Sequence, residues 1–181
     1  TYLGALFLVL LAPIFSALWA WLERRKANPS KPIKSSFGLI IGGLSFIPMA
    51  LAAQQAGATG LQASVWWLVL AYFILEVGEM CISPVGLSAV TQLSVPRVMS
   101  MMMGTWFLAT AFSETLAAMF GKLAAIEIED GGTLVEHSLE WTAAAAKYES
   151  LFWKMMWIGL VFGVIAFLFS PLIKRAMHGV K

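Results

Sequence analysis

Five apolar stretches dominate this chain, at about 1–22, 36–54, 64–92, 98–125 and 151–173. Each is long enough to cross roughly 30 Å of hydrocarbon at 1.5 Å per residue. In lipid, every backbone N–H and C=O must be satisfied within the protein, which leaves helices or closed barrels. The alternating ten-residue pattern of a membrane barrel is absent from the sequence. The expected fold is an all-α membrane protein: a polytopic helix bundle of five transmembrane helices, occupying residues 1–181 as one unit. Only 12% of the residues are charged and 60% are hydrophobic, whereas a soluble domain carries about 25% charge. The third and fourth stretches exceed the minimum length and should tilt, kink or protrude.

The connections set the predicted orientation, because cytoplasmic loops concentrate Lys and Arg. Residues 23–35 hold Arg24, Arg25, Lys26, Lys31 and Lys34, and the turn 93–97 holds Arg97. The connection 55–63 is uncharged, and 126–150 is acidic, with Glu127, Glu129, Asp130, Glu136, Glu140 and Glu149 against Lys147. The tail carries Lys174, Arg175 and Lys181. Every second connection is basic, which puts the N-terminus outside and the C-terminus in the cytoplasm. Within the acidic loop, after Gly131-Gly132, residues 134–149 read as a short amphipathic helix outside the membrane. Gly38, Gly42 and Gly43 form a small-xxx-small pattern that lets a neighbouring helix approach closely. The chain opens at Thr1 within an apolar stretch, without an initiating Met, and so reads as part of something longer.

Several function classes are excluded. A net charge of +2 is too small for nucleic-acid binding. The single cysteine, Cys81, makes neither an intramolecular disulfide nor a metal site. His137 and Glu140 supply too few ligands for a metal, and His178 sits in the basic tail. No nucleotide loop and no Ser-His-Asp arrangement is present, so neither an enzyme, a metal nor a cofactor is expected.

The third stretch is the unusual one. It carries Glu76, Glu79 and Pro84 inside an apolar run, although an acid at mid-bilayer costs roughly 2.5–3.5 kcal/mol on insertion scales. At 100° per residue, Glu76, Glu79 and Ser83 fall within about 60° of one another, with Gly86 close to Glu79 on the same face. Pro84 has no N–H for the carbonyl of Met80 and crowds it, which predicts a helix kink beside the polar stripe. The fourth stretch puts Trp106, Thr110, Ser113 and Ala117 on one face, with Glu114 at its edge. Intramembrane acids on such a face mark a transport pathway. Glu79 is the leading functional candidate on this face, while Glu76, Ser113 and Glu114 are accessory candidates.

The run Glu79-x-x-x-Ser83-Pro84-Val85-Gly86-Leu87-Ser88, then Gln92-Leu93, then Met102-Met103-Gly104-Thr105-Trp106-Phe107-Leu108, resembles the proton-dependent oligopeptide transporters of the major facilitator superfamily. Ala12-Pro13 in the first stretch, the basic loop and the segment from Lys34 to Gly38 are similar to that family too. The resemblance implies that the five spans match the last five of twelve core helices. It also implies a multi-pass protein of the inner (plasma) membrane with a cytoplasmic C-terminus. The implied function is secondary active transport of di- and tripeptides, coupled to inward proton movement by alternating access. Its partners are then peptides, protons, the lipid bilayer and the missing N-terminal helices, including the first-helix ExxER motif and an acidic seventh helix. On this resemblance Glu79 meets the peptide's amino group and couples to protons, with Ser83 and Trp106 as further substrate contacts. Glu76 is an acid where the family has a neutral residue, and Ser113-Glu114 stands where it usually has Gly-Asn. The alternative is a truncated membrane half that does not transport and serves as a scaffold or exists only as a fragment.

Overall fold

The computed structural model describes residues 2–124 and 138–176. Among the described residues it contains six helices and no strand: α1 Tyr2–Arg24, α2 Lys31–Leu44, α3 Phe46–Thr59, α4 Val65–Leu93, α5 Met99–Ala124 and α6 Leu139–Ala176. Among the described residues, four segments are long and apolar enough to cross a membrane: Tyr2–Arg24, Lys31–Thr59, Val65–Leu93 and Leu139–Arg175. α5 matches the expected fourth span in position, and its 26 residues reach about 39 Å at 1.5 Å each. It is less apolar than the others because Ser100, Thr105, Thr110, Ser113, Glu114 and Thr115 interrupt it.

The second span is two helices in near-continuation. Pro48 leaves the carbonyl of Leu44 without a helical donor and crowds it, and the break falls at Ser45. Ser45 stays close to helical geometry (φ −62°, ψ −19°). Its N–H donates to the carbonyls of Ile41 and Gly42 at 3.1 and 3.3 Å. Its hydroxyl donates to Gly42 O at 2.6 Å. α4, by contrast, continues as one helix through Pro84.

The expected separate helix at 134–149 is not found. Residues 139–149 are the first turns of α6, a single 38-residue helix, while 134–137 lie outside the described residues. The helix starts early because Ser138 caps it, its hydroxyl accepting from the N–H of Trp141 at 3.0 Å. Ala143–Ala146 then propagate it without a Gly or Pro break. At about 57 Å, α6 is longer than the hydrocarbon core is thick. The remaining acidic connection, with Gly131, Gly132 and His137, and the tail with His178 also lie outside the described residues.

α2 with α3 is the central column, packed against α4 on one side and α6 on the other; α1 leans on α4, and α5 packs chiefly against α4. Glycine makes these crossings close. A Cβ on Gly78 would lie 2.9 Å from Gly38 O and from Gly42 N. One on Gly159 would lie 2.6 Å from the Cα of Gly43. The expected use of Gly38, Gly42 and Gly43 as a close-packing surface is therefore observed, against two helices rather than one. The interior elsewhere is small and apolar, with Ala50, Ala52, Ala71, Ala144, Ala145, Met80 and Met156 buried. Without a hydrophobic force between helices in lipid, such backbone-to-backbone contact supplies the association energy.

Both ends of the bundle are pinned by polar contacts. At one end the indole N–H of Trp67 donates to Gln55 Oε1 at 2.7 Å, and that of Trp141 donates to Ala56 O at 3.1 Å. These join the starts of α4 and α6 to the end of α3, where Gly60 takes the left-handed conformation (φ 69°) that closes the helix. At the other end Lys31 Nζ donates to Gln92 Oε1. The buried Lys34 places its ammonium 4.1 Å from the centre of the Trp19 ring.

This packing carries a direct expectation. Gly159→Val should lower the melting temperature of the detergent-solubilised full-length protein, since overpacking against backbone costs about 1–3 kcal/mol. Gly42→Ala should be nearly neutral, because its Cβ would meet nothing within 4 Å. Equal melting shifts for the two variants would show that the close crossing is unimportant.

Candidate functional site

α4 and α5 border an open cleft of about 320 Å³ lined by Glu79, Trp106, Ala109, Thr110, Ser113 and Glu114. Glu79 comes from α4, while the rest recur along α5 at helical spacing and so share one face. Ser83 stands one turn beyond Glu79, and its hydroxyl donates to Glu79 Oε1. That bond occupies one carboxyl oxygen and fixes how the side chain leaves the helix.

Trp106 is half-buried, and its ring lies on α4 at Gly86. A Cβ at Gly86 would collide with the indole, meeting Cζ2 at 2.8 Å and Cζ3 at 3.0 Å. The missing side chain thus makes the seat for the aromatic ring. The hydroxyls of Thr110 and Ser113 turn back to their own helix, donating to Phe107 O at 2.8 Å and Ala109 O at 3.0 Å. Both hydroxyl oxygens retain lone pairs for a further donor.

Glu79, Ser83, Trp106, Ser113 and Glu114 are therefore brought together, Ser83 through its bond to Glu79. Glu76 is not among the residues that line the cavity. It turns to α1, where a Cβ on Gly4 would lie 2.6 Å from Glu76 Oε1. Its Oε2 is buried without a hydrogen-bond partner among the described residues. The 60° between Glu76 and Glu79 is enough to send them to different neighbours. Gly86 was legible as part of the polar face, but its pairing with Trp106 required knowing how α5 lies on α4. A larger cavity, about 380 Å³, lies between α3 and the start of α6. It is walled by Met49, Ala52, Ala56, Tyr148 and Phe152 and brings no ionisable acid or base to a ligand except the Tyr148 phenol. Among the described residues, no cluster of three or more His, Cys, Asp or Glu could hold a metal ion.

Known proteins share this sequence and architecture. The family model PTR2, the POT family, matches residues 1–132. The chain is 38% identical over 182 residues to the uncharacterized transporter YclF of Bacillus subtilis (strain 168), covering 98% of this chain and 32% of that protein. It is 41% identical over 121 residues to a di-/tripeptide transporter of Lactococcus lactis subsp. lactis (strain IL1403), covering 67% of this chain and 24% of the relative. The crystal structure of a peptide transporter POT in complex with sulfate superposes with a TM-score of 0.76 at 33% identity, covering 98% of this chain and 31% of that one. The chain thus spans between about a quarter and a third of the length of these relatives. Profile match, identity and superposition agree: the chain belongs to the POT family, and its helices fold as part of the major-facilitator architecture of that family's transporters.

Proposed function

We propose that this chain is the C-terminal part of a secondary transporter that couples inward proton movement to the uptake of di- and tripeptides. The observation that carries the reading is the α4–α5 cavity, in which Glu79, bonded to Ser83, faces Trp106 seated on Gly86. Relatives named as di-/tripeptide and peptide transporters support the substrate class. The remaining wall of the site belongs to helices N-terminal to this segment in the full-length protein.

In this mechanism no bond is made or broken in the substrate. An ionised carboxylate in a water-poor cavity is stabilised by a cation, and a neutral one by desolvation. The peptide's free amino group brings the cation to Glu79. Protonation of Glu79 removes that attraction and favours release. Alternating access around the site then converts the proton gradient into peptide movement. Uptake of labelled dialanine by the full-length protein in proteoliposomes tests the reading. Unlabelled di- and tripeptides should compete and free alanine should not; competition by free alanine alone would contradict it.

The membrane orientation belongs to the same proposal: α1 starts outside, and the tail is in the inner-membrane cytoplasmic face. A cysteine at Ala58 should react with an impermeant thiol reagent from outside, and one at Ser30 only after permeabilisation. The native Cys81 is buried, which keeps the background low. Labelling of the Ser30 variant in intact cells would reverse the orientation.

A further inference from the structure

The cavity holds a second acid that the mechanism above does not use. Glu114, from α5, lines the same space as Glu79, from α4, and none of the lining residues is Lys, Arg or His. Glu79 already accepts the Ser83 hydroxyl, whereas Glu114 makes no hydrogen bond or ion pair among the described residues. One peptide amino group can neutralise one carboxylate. A second carboxylate on the same wall favours a ligand with a second cation, because charges across a recognition surface select a partner of complementary charge. Trp106 lies in the same wall, and its ring face attracts a guanidinium or ammonium.

We infer that Glu114 is a specificity-determining residue that makes this site favour peptides with a second positive charge, those carrying a Lys or Arg side chain, over neutral peptides, with acidic peptides disfavoured. The inference rests on the reading of this cavity as a peptide site. Glu79 takes the amino terminus and Glu114 the basic side chain. Thr110 and Ser113, with lone pairs free on their hydroxyls, accept from the same cationic group. A peptide with an Asp or Glu side chain would bring a like charge to Glu114.

The test is competition against labelled dialanine uptake by the full-length protein in proteoliposomes, using dialanine, Ala-Lys and Ala-Glu as competitors. Ala-Lys should compete at a concentration about tenfold lower than dialanine, the effect of one charge-assisted contact. Ala-Glu should need more than dialanine. In Glu114→Gln the Ala-Lys and dialanine curves should converge, and Glu114→Asp should keep most of the separation. Equal competition by the three peptides in the parent overturns the inference, as does a Glu114→Gln variant that keeps the parent's preference. Where Glu114→Gln does not reach the membrane folded, Glu114→Ser makes the same comparison. Failure of the parent to take up dialanine brings down the peptide-site reading and the inference together; uptake of dialanine without a preference for Ala-Lys brings down the inference alone.

Discussion

Glu79→Gln is expected to abolish gradient-driven peptide accumulation while leaving the protein folded and some peptide exchange intact. Glutamine preserves the length of the side chain and can still accept from Ser83, so the contact seen between those residues has a substitute. What it loses is the proton. An inward gradient of one pH unit can support about a tenfold accumulation of a neutral peptide per proton coupled. The parent should approach that ratio, and the Glu79→Gln variant should level near about one. Counterflow, in which labelled peptide exchanges for unlabelled without a gradient, should persist in part because the cavity wall remains. Glu76→Gln should do far less: its carboxyl packs against Gly4 of α1 and is not part of the cavity wall. Normal accumulation by the Glu79 variant, or equal losses in both, would contradict the assignment.

The second large effect is expected at a residue with no side chain. Gly86→Ala puts a methyl where the Trp106 ring lies, with ring carbons at 3.0 Å or less. No Cβ tolerates such an approach, so either α5 moves off α4 or the indole swings into the cavity. Overpacking of this kind costs about 1–3 kcal/mol, and α5 has little other packing within this segment with which to resist it. Apparent affinity for dialanine should fall at least about tenfold, with a change in tryptophan fluorescence. The clashing carbons belong to the far side of the indole, which phenylalanine lacks. Gly86→Ala should therefore be much milder in a Trp106→Phe background, and the coupling between the two sites should show as strong non-additivity. Additive losses would show that the two residues do not act through this contact.

How much of this was legible in the sequence depends on whether a feature is local or relational. The helical class followed from apolar length alone, since lipid permits few alternatives. The glycine surface on α2 was legible as a surface, but not that Gly78 and Gly159 would meet it from opposite sides. Helix spacing on α4 correctly set Glu79 beside Ser83. It also put Glu76 in their stripe, and a 60° offset proved sufficient to point it at α1. Two departures have local causes in the sequence. Pro48 foretells the break at Ser45, and Ser138 ahead of Trp141 marks the start of α6. The acidic composition of 126–150 reads as an aqueous loop, but Glu140, Lys147 and Glu149 ride on a helix whose length exceeds the bilayer core. The cavity itself combines residues from α4 and α5, and its floor at Gly86 is defined only by the ring above it.

The central claim is that this site couples protons to peptides, and one measurement meets it most directly. The full-length protein is reconstituted into liposomes, an inward pH gradient is imposed, and the ratio of internal to external labelled dialanine is followed with and without a protonophore. The account predicts accumulation well above the external concentration, collapsing to equality when the protonophore is added. Equilibration to the same level in both conditions would contradict it.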